Sequence, residues 1–251
     1  MQTVNALRLA PVKALATVLS DRVRLDTDGV SEDRRLFLVR SDGSVVTQRE
    51  HPKLTGVVPD LDLCARTLTV TLPDGTSAGT DLVATGDQVH ARLFGKDRSG
   101  RLVRGPVADA LSEYVGEPLR LVLAESTGIG WDEGPVSLIG RASADAVAPP
   151  PEPGTPITAR FRMLVEIDGT APYEEDSWVG CRLRIGESLV RVTHPLGRCV
   201  IINHSPVTGT QDWQGLKTLV AARDRLTLGV IGLVEQPGEV RVGDLVDVRR
   251  D

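Results

Sequence analysis

Aromatic side chains are scarce in this chain: Phe, Trp and Tyr make up 3% of its 251 residues. A core must therefore rest on Val, Leu, Ile and Ala, and a hydrophobic content of 41% suffices for one. Cysteine is sparse too. Cys64, Cys181 and Cys199 are far apart, odd in number and free of any Cys-x-x-Cys pair. This argues against a zinc knuckle or an iron–sulfur cluster built within the chain, and a reducing cytoplasm fits best. No apolar run reaches the roughly 20 residues that cross a bilayer. The start, Met1-Gln2-Thr3-Val4-Asn5, lacks the basic and apolar regions of a signal peptide. The expectation is a cytoplasmic protein with no membrane partner. Basic charge is not in excess: Lys plus Arg is 29 against 34 Asp plus Glu, a net −5. No nucleic-acid partner is expected from that balance. Walker and dinucleotide phosphate loops are absent.

What remains reads mostly as strand and turn. Ala6 to Ala10, Arg22 to Leu25, Arg35 to Val39, Thr67 to Leu72 and Val89 to Leu93 carry strand patterns. Ser41-Asp42-Gly43 between Arg35–Val39 and Ser44–Thr47 predicts a hairpin. Two strand–Gly–acid–strand units, 181–192 around Gly186-Glu187 and 239–248 around Gly243-Asp244, suit a β-barrel. Helical spacing is confined to 106–115, opened by Pro106, and to short stretches at 142–147 and 216–223. The Pro-rich run 148–156 cannot be regular.

The chemistry centres on Cys199, in the run Thr193-His194-Pro195-Leu196-Gly197-Arg198-Cys199. Its residues alone leave two uses open: a packed core cysteine, the commoner case, or a thiolate that holds a soft metal. His194 and His204 lie near it in sequence, which raises a Cys–His nucleophile. The five-residue spacings fit neither a zinc knuckle nor a helix face.

Several short motifs occur in a set order: Pro11-Val12-Lys13, Glu32-Asp33-Arg34-Arg35, Thr47-Gln48-Arg49, Trp131-Asp132, Ala142-Ser143, Arg160-Phe161-Arg162, Glu175-Asp176-Ser177-Trp178, Arg198-Cys199, Pro206-Val207-Thr208-Gly209 and Pro237 to Asp244. Together the chain resembles the MOSC family, the sulfurase C-terminal-like group that binds molybdenum cofactor. Within it, the chain is most similar to the amidoxime-reducing component and its bacterial relatives. The resemblance implies a mainly β fold with a few short helices. It places an N-terminal barrel-like domain at 1–124 and a C-terminal MOSC β-barrel at 125–251. It implies a molybdenum cofactor (molybdopterin with Mo) whose protein ligand is Cys199, with Arg198 beside it. Lys13, Arg34 and Arg162 are implied for phosphate or pterin oxygens, Ser143 for a further hydrogen bond, and Thr47 and Arg49 for the wall of the site. Asp132 is implied near the metal, as a catalytic residue that positions a proton or water. Asp176 and Trp178 are expected to hold structure. Pyridoxal phosphate is not expected.

The function so implied is an oxidoreductase that reduces small N-hydroxylated or N-oxide substrates. Its electrons come from a separate ferredoxin- or flavoprotein-type donor. Alternatives are a cofactor carrier without turnover, and sulfur transfer through a persulfide on Cys199. The chain departs from the family pattern at Met163-Leu164, where Pro-Asn is usual, at His204-Ser205, where Val-Asp is usual, and at Ala14, where Ser is common.

Overall fold

The computed structural model describes residues 1–93, 95–148 and 155–250. Residues 149–154 of the Pro-rich run therefore lie outside the described residues. Strands make up 43% of the chain and helices 19%, with three α-helices among the described residues. Seven strands close a barrel. In order around it they are Val165–Asp168, Val136–Gly140, Thr227–Gln236, Ser188–Gly197, Arg182–Ile185, Leu245–Arg249 and Gln2–Leu9. Gln2–Leu9 closes the ring by pairing back to Val165–Asp168, with Thr3 opposite Asp168 and Leu7 opposite Val165. One stave thus comes from the first residues of the chain. Val136–Gly140 and Val165–Asp168 are parallel, so a crossover must join them, and helix α2 (Arg141–Val147) begins it.

The barrel interior is filled by Val4, Leu7, Ile167, Leu183, Ile185, Val190 and Val230, with Trp178 as the single aromatic of that cluster. The scarcity of aromatics is met by β-branched and Leu side chains. Each contributes about 1.5–3 kcal/mol when fully buried.

A second core lies in the first half. A four-stranded sheet runs in the order Leu36–Val39, Arg120–Ala124, Lys96–Val103, Ala84–Leu93, and a three-stranded sheet in the order Val58–Asp62, Thr67–Thr71, Ser77–Asp81. Helix α1 (Pro106–Val115) buries Val107 and Leu111 against Leu36, Leu38, Leu68 and Val70. Pro106 opens it, the Thr80 hydroxyl accepts the Val107 N–H at 3.0 Å, and Gly116 ends it in the left-handed region. Helix α3 (Gly215–Arg223) covers a third cluster through Leu219.

The hairpin expected across Ser41-Asp42-Gly43 forms with a short return arm: Val45 bridges Val39, Arg40 N–H donates to Ser44 O at 3.0 Å and Val46 N–H donates to Leu38 O at 2.9 Å. The Asp42 carboxylate braces the turn by accepting from the Ser44 N–H and hydroxyl, at 2.9 and 2.7 Å. The unit around Gly186 is a hairpin, but the unit around Gly243 is not. Gly238–Arg241 pairs with Arg22–Leu25, while Leu245–Arg249 joins the barrel. The turn between them is gripped by the first strand: Gly243 N–H donates to Val4 O at 2.8 Å, and Val4 N–H to Asp244 O at 2.9 Å.

Beyond Leu9 the chain leaves the barrel and enters the second unit. Lys13 N–H donates to Leu36 O, and Arg34 N–H to Ala10 O. Those bonds set Lys13 and Arg34 side by side where the two cores meet.

Candidate functional site

A cleft of about 400 Å³ opens at this junction. Arg34 and Arg49 reach it from the first half, Arg162, Arg198 and Cys199 from the second. A side pocket of about 100 Å³ shares Arg34, Arg49, Asp132, Arg162 and Cys199 and adds Lys13, Ala14, Thr47 and Gln48. Cys199 borders both spaces. It follows the barrel strand Ser188–Gly197 in an extended conformation and heads a short 3₁₀ turn, Val200–Asn203.

The Arg160-Phe161-Arg162 motif splits two ways. Arg160 points away from the cleft and clamps the turn after Cys199. It pairs with both oxygens of Asp212 at 2.8 and 2.7 Å, and donates to Ile202 O and His204 O. Arg162 adopts φ 54° at the end of the 3₁₀ turn Ile157–Phe161, and that left-handed residue swings its side chain into the cleft. Its guanidinium makes no hydrogen bond or ion pair among the described residues. Burial, then the charge of Arg34, pushes its pKa down to about 10. It stays cationic at neutral pH and offers a fork of donors to an anion.

Arg198 is used differently. It makes four hydrogen bonds to the protein: two to Leu228 O, one to Phe161 O and one to Met163 Sδ. Burial lowers its pKa to about 10, with the Cys199 charge acting against the shift. Its donors tie the Cys199 segment to neighbouring strands rather than facing the cleft unspent.

Lys13 and Asp132 form one unit. Lys13 Nζ lies 2.5 Å from Asp132 Oδ1 and 3.1 Å from Gly130 O. Lys13 is nearly buried, whereas the Asp132 side chain is half-exposed. For Lys13, burial outweighs the attraction of Asp132, and Arg34 adds to it, so its pKa falls. For Asp132, burial alone would raise the pKa, but Lys13, Arg34 and Arg98 outweigh it, so that pKa falls too. The loop around Asp132 is held through its carbonyls. Arg98 donates to Trp131 O and Lys96 to Asp132 O, at 3.1 and 3.0 Å. Gly130 allows this approach, since a Cβ there would lie 2.1 Å from Arg34 O.

Arg34 pairs with Asp33. Burial opposes its charge, yet Asp33 and Asp132 outweigh that and raise its pKa. The Thr47 hydroxyl donates to Glu50 in a local turn, and Arg49 stands on the exposed rim.

Ser143 is not brought to the cleft. It is fully buried, donates to Glu175 Oε2 at 2.6 Å and accepts from Tyr173 N–H at 2.7 Å. Asp176 pairs with Arg223, and Trp178 sits in the barrel core. Neither His194 nor His204 hydrogen-bonds Cys199; His194 faces Glu133 on the rim at 3.3 Å. Among the described residues no group of three His, Cys, Asp or Glu side chains could hold a metal. Asp33 and Glu133 also line the cleft and had no role assigned from sequence; Asp33 lies within the Glu32–Arg35 motif, and the signal at Glu133 is its adjacency to Asp132.

The departures resolve unevenly. Leu164 forms apolar wall in the cleft, with Ser137 beside it accepting the Leu164 N–H at 2.9 Å. Ser205 is buried, and its hydroxyl accepts from Val207 and Thr208 N–H, a turn-capping role open equally to Asp.

A mainly β protein with a closed seven-stranded barrel, whose cation-lined cleft holds one thiol, is the class that the fold and site define. Residues 1–118 match the MOSC N-terminal beta barrel domain and residues 125–247 the MOSC domain, so the chain belongs to the MOSC family. Mitochondrial amidoxime-reducing component 1 of Xenopus laevis is 25% identical, across 97% of this chain and 81% of that protein. Mitochondrial amidoxime reducing component 2 of Bos taurus is 24% identical, across 97% and 82%. Molybdenum cofactor sulfurase of Danio rerio is 27% identical across 91% of this chain, which spans 31% of that protein's length. Among the described residues no helix is long and apolar enough to cross a membrane.

Proposed function

We propose that this chain binds molybdenum cofactor in the cleft and serves as an oxidoreductase for small N-hydroxylated or N-oxide substrates. The observation that carries the proposal is the pairing of the Cys199 thiol with an Arg162 fork free of protein partners, in one cleft. The residues fit such a group. A single thiol cannot hold a bare metal, but it suffices for one whose other ligands arrive on an organic carrier. The cleft volume lies in the range of ligand sites. When bound, the group supplies two-electron redox chemistry and a Lewis-acidic metal.

The chain's own residues do the rest. Cys199 Sγ would hold the metal, and Arg162 with Arg34 would hold phosphate or pterin oxygens. Leu164, Leu196 and Ile231 exclude water from one wall. Reduction of an N–O bond must deliver protons as the oxygen leaves as water. Asp132 has a lowered pKa and is ionised at neutral pH, and burial lowers the pKa of its partner Lys13, which eases release of a proton from Lys13 Nζ. Asp132 therefore orients the proton and Lys13 carries it. The electrons come from a separate ferredoxin- or flavoprotein-type donor, since the chain lacks an iron–sulfur cysteine set and a dinucleotide fingerprint.

The test is metal content. The protein is purified from cells that make molybdenum cofactor, with Cys199→Ser and Arg162→Met beside it. Stoichiometric molybdenum in the parent, lost in both variants, is expected. A parent free of molybdenum overturns the proposal. Metal without reduction of N-hydroxylated compounds, given a competent donor, leaves a carrier in its place.

A further inference from the structure

Arg162 also borders a separate cavity of about 260 Å³. Arg8 reaches it from the barrel strand Gln2–Leu9, Thr17 and Thr55 from the first-half unit, and Thr155 from the segment before the Ile157–Phe161 turn. No carboxylate is among the described residues that line it. The main cleft, by contrast, carries Asp33, Asp132 and Glu133 against its cations.

Arg8 is the unusual member. It is only 7% exposed, yet its guanidinium makes no hydrogen bond to any described residue, and its Nε is buried without a partner. The nearest opposite charge is Glu166 Oε2 at 3.9 Å, too far to accept a hydrogen bond. Glu166 is already occupied: Asn5 Nδ2 donates to Oε1 at 2.5 Å, and the Thr158 hydroxyl donates to Oε2. Burial lowers the Arg8 pKa, with Glu166 opposing, and the group remains a cation at neutral pH. Buried donors in native proteins find acceptors. Here two guanidinium forks, each with five N–H groups, face one space that contains no carboxylate.

We infer that this cavity is an anion site for a phosphate monoester, with Arg8 and Arg162 forking the phosphate and Val58, Pro156, Pro206 and Val207 packing the organic part. Two arginines suit a tetrahedral oxyanion with several acceptors. The volume exceeds what one oxyanion fills, which is why an ester is favoured over the bare ion. Two sources share this chemistry: a free phosphate ester, and the phosphate end of the cofactor proposed for the adjoining cleft.

Inorganic phosphate is the probe, titrated against cofactor-free protein at constant ionic strength and read by calorimetry and melting temperature. The test variant is R8M/E166Q, which removes both charges together while the amide oxygen still accepts from the Thr158 hydroxyl. Saturable binding is expected in the parent, about tenfold or more weaker in the variant, as loss of charge-assisted hydrogen bonds implies. If the double variant does not fold, as judged by near-UV circular dichroism, Arg8→Gln takes its place with the same expectation. No saturable binding in the parent overturns the inference, and so does equal affinity in the Arg8 variants. Loss of binding in Arg34→Met with retention in the Arg8 variants overturns it too, by placing the anion in the cleft. The source is read from protein loaded with cofactor. Unchanged phosphate affinity there supports a free ester, and exclusion of phosphate supports the cofactor's own terminus. Because the cofactor-free protein is the sample, this result stands or falls separately from the molybdenum measurement.

Discussion

Replacing Arg160 with Met is expected to cost about 3 kcal/mol of stability and to loosen the segment that carries Cys199. The Arg160 side chain has no solvent exposure and pairs at 2.7 Å with Asp212, which is 28% exposed. It also donates to Ile202 O at 3.2 Å and His204 O at 2.8 Å, and lies 5.4 Å from the Trp213 ring centroid. Removing one partner of a buried pair costs about 3–5 kcal/mol. Two corrections lower that figure. Asp212 is partly open to water, and the Arg160 Nε is buried without a partner, so its removal returns about 1 kcal/mol. The expected balance is therefore about 3 kcal/mol, read from the urea midpoint and slope at neutral pH. The double variant with Asp212→Leu should recover part of the loss, because no orphaned carboxylate remains. The second readout is the alkylation rate of Cys199 in a Cys64→Ser background, since Cys64 is exposed and would react first. A faster rate is expected, because Arg160 holds two carbonyls at the C-terminal end of the turn after Cys199. A stability loss below about 1 kcal/mol with an unchanged alkylation rate would refute the clamp.

Two further predictions concern Glu175, buried away from the cleft beside Ser143, and Ala14, in the side pocket. Glu175 is fully buried with Oε1 unpartnered, and burial raises its pKa despite the Ser143 hydrogen bond. A carboxyl with a raised folded pKa contributes stability below its unfolded value and loses it as pH rises through the folded value. Glu175→Gln should therefore flatten the fall in stability from the ordinary glutamate range toward neutral pH, seen in urea midpoints taken across that range; an unchanged slope counts against the assignment. Ala14 holds φ 78° beside the side pocket, a left-handed conformation that costs a residue with a Cβ about 1–2 kcal/mol. Ala14→Gly relieves this but adds unfolded-state freedom, so a net gain of about 0.5–1 kcal/mol is expected in the thermal midpoint. A lower midpoint would contradict it.

What the sequence reveals follows from how local each feature is. Helix α1 is readable because Pro106 and Gly116 mark its ends and the apolar spacing lies between them. The hairpin across Gly186 is readable for the same reason. Barrel closure is not, because Thr3 meets Asp168 and no neighbouring residue records that pairing. The Gly243 unit has the same local pattern as the Gly186 unit, yet its strands part because the first strand grips the turn between them. The site shows the same division. Arg160 and Arg162 are equivalent in sequence; only the left-handed backbone of Arg162 sends one to the cleft and the other to the Cys199 turn. Ser143 fits a cofactor contact or an internal hydrogen bond equally well as a residue type. Glu175 decides it, from 32 residues away.

The electrostatics of the cleft explain why its cations are not interchangeable. Lys13 has Asp132 at 2.5 Å, and Arg34 has Asp33. Each of those pairs is close to neutral as seen by an arriving anion. Arg198 has spent four donors on carbonyls and a thioether. Arg162 has neither a carboxylate nor a carbonyl, and Arg34 repels it. Arg198 keeps its charge but not its free donors, so the donors still open to an anion in the inner cleft concentrate on the Arg162 guanidinium. That guanidinium borders the cleft, the side pocket and the Arg8 cavity alike. An anion placed against it offsets the repulsion from Arg34 and gives the buried guanidinium the acceptors it lacks among the described residues, and the Arg162 pKa returns toward its ordinary value as the linked consequence of that contact. The strand Gln2–Leu9 gives the arrangement its stiffness. It is hydrogen-bonded within the barrel, carries Arg8 directly and runs within four residues of its end into Lys13. Both anion-facing spaces are therefore built on a stave of the barrel itself, which lets the two halves of the chain hold one cluster of charge without a flexible joint between them.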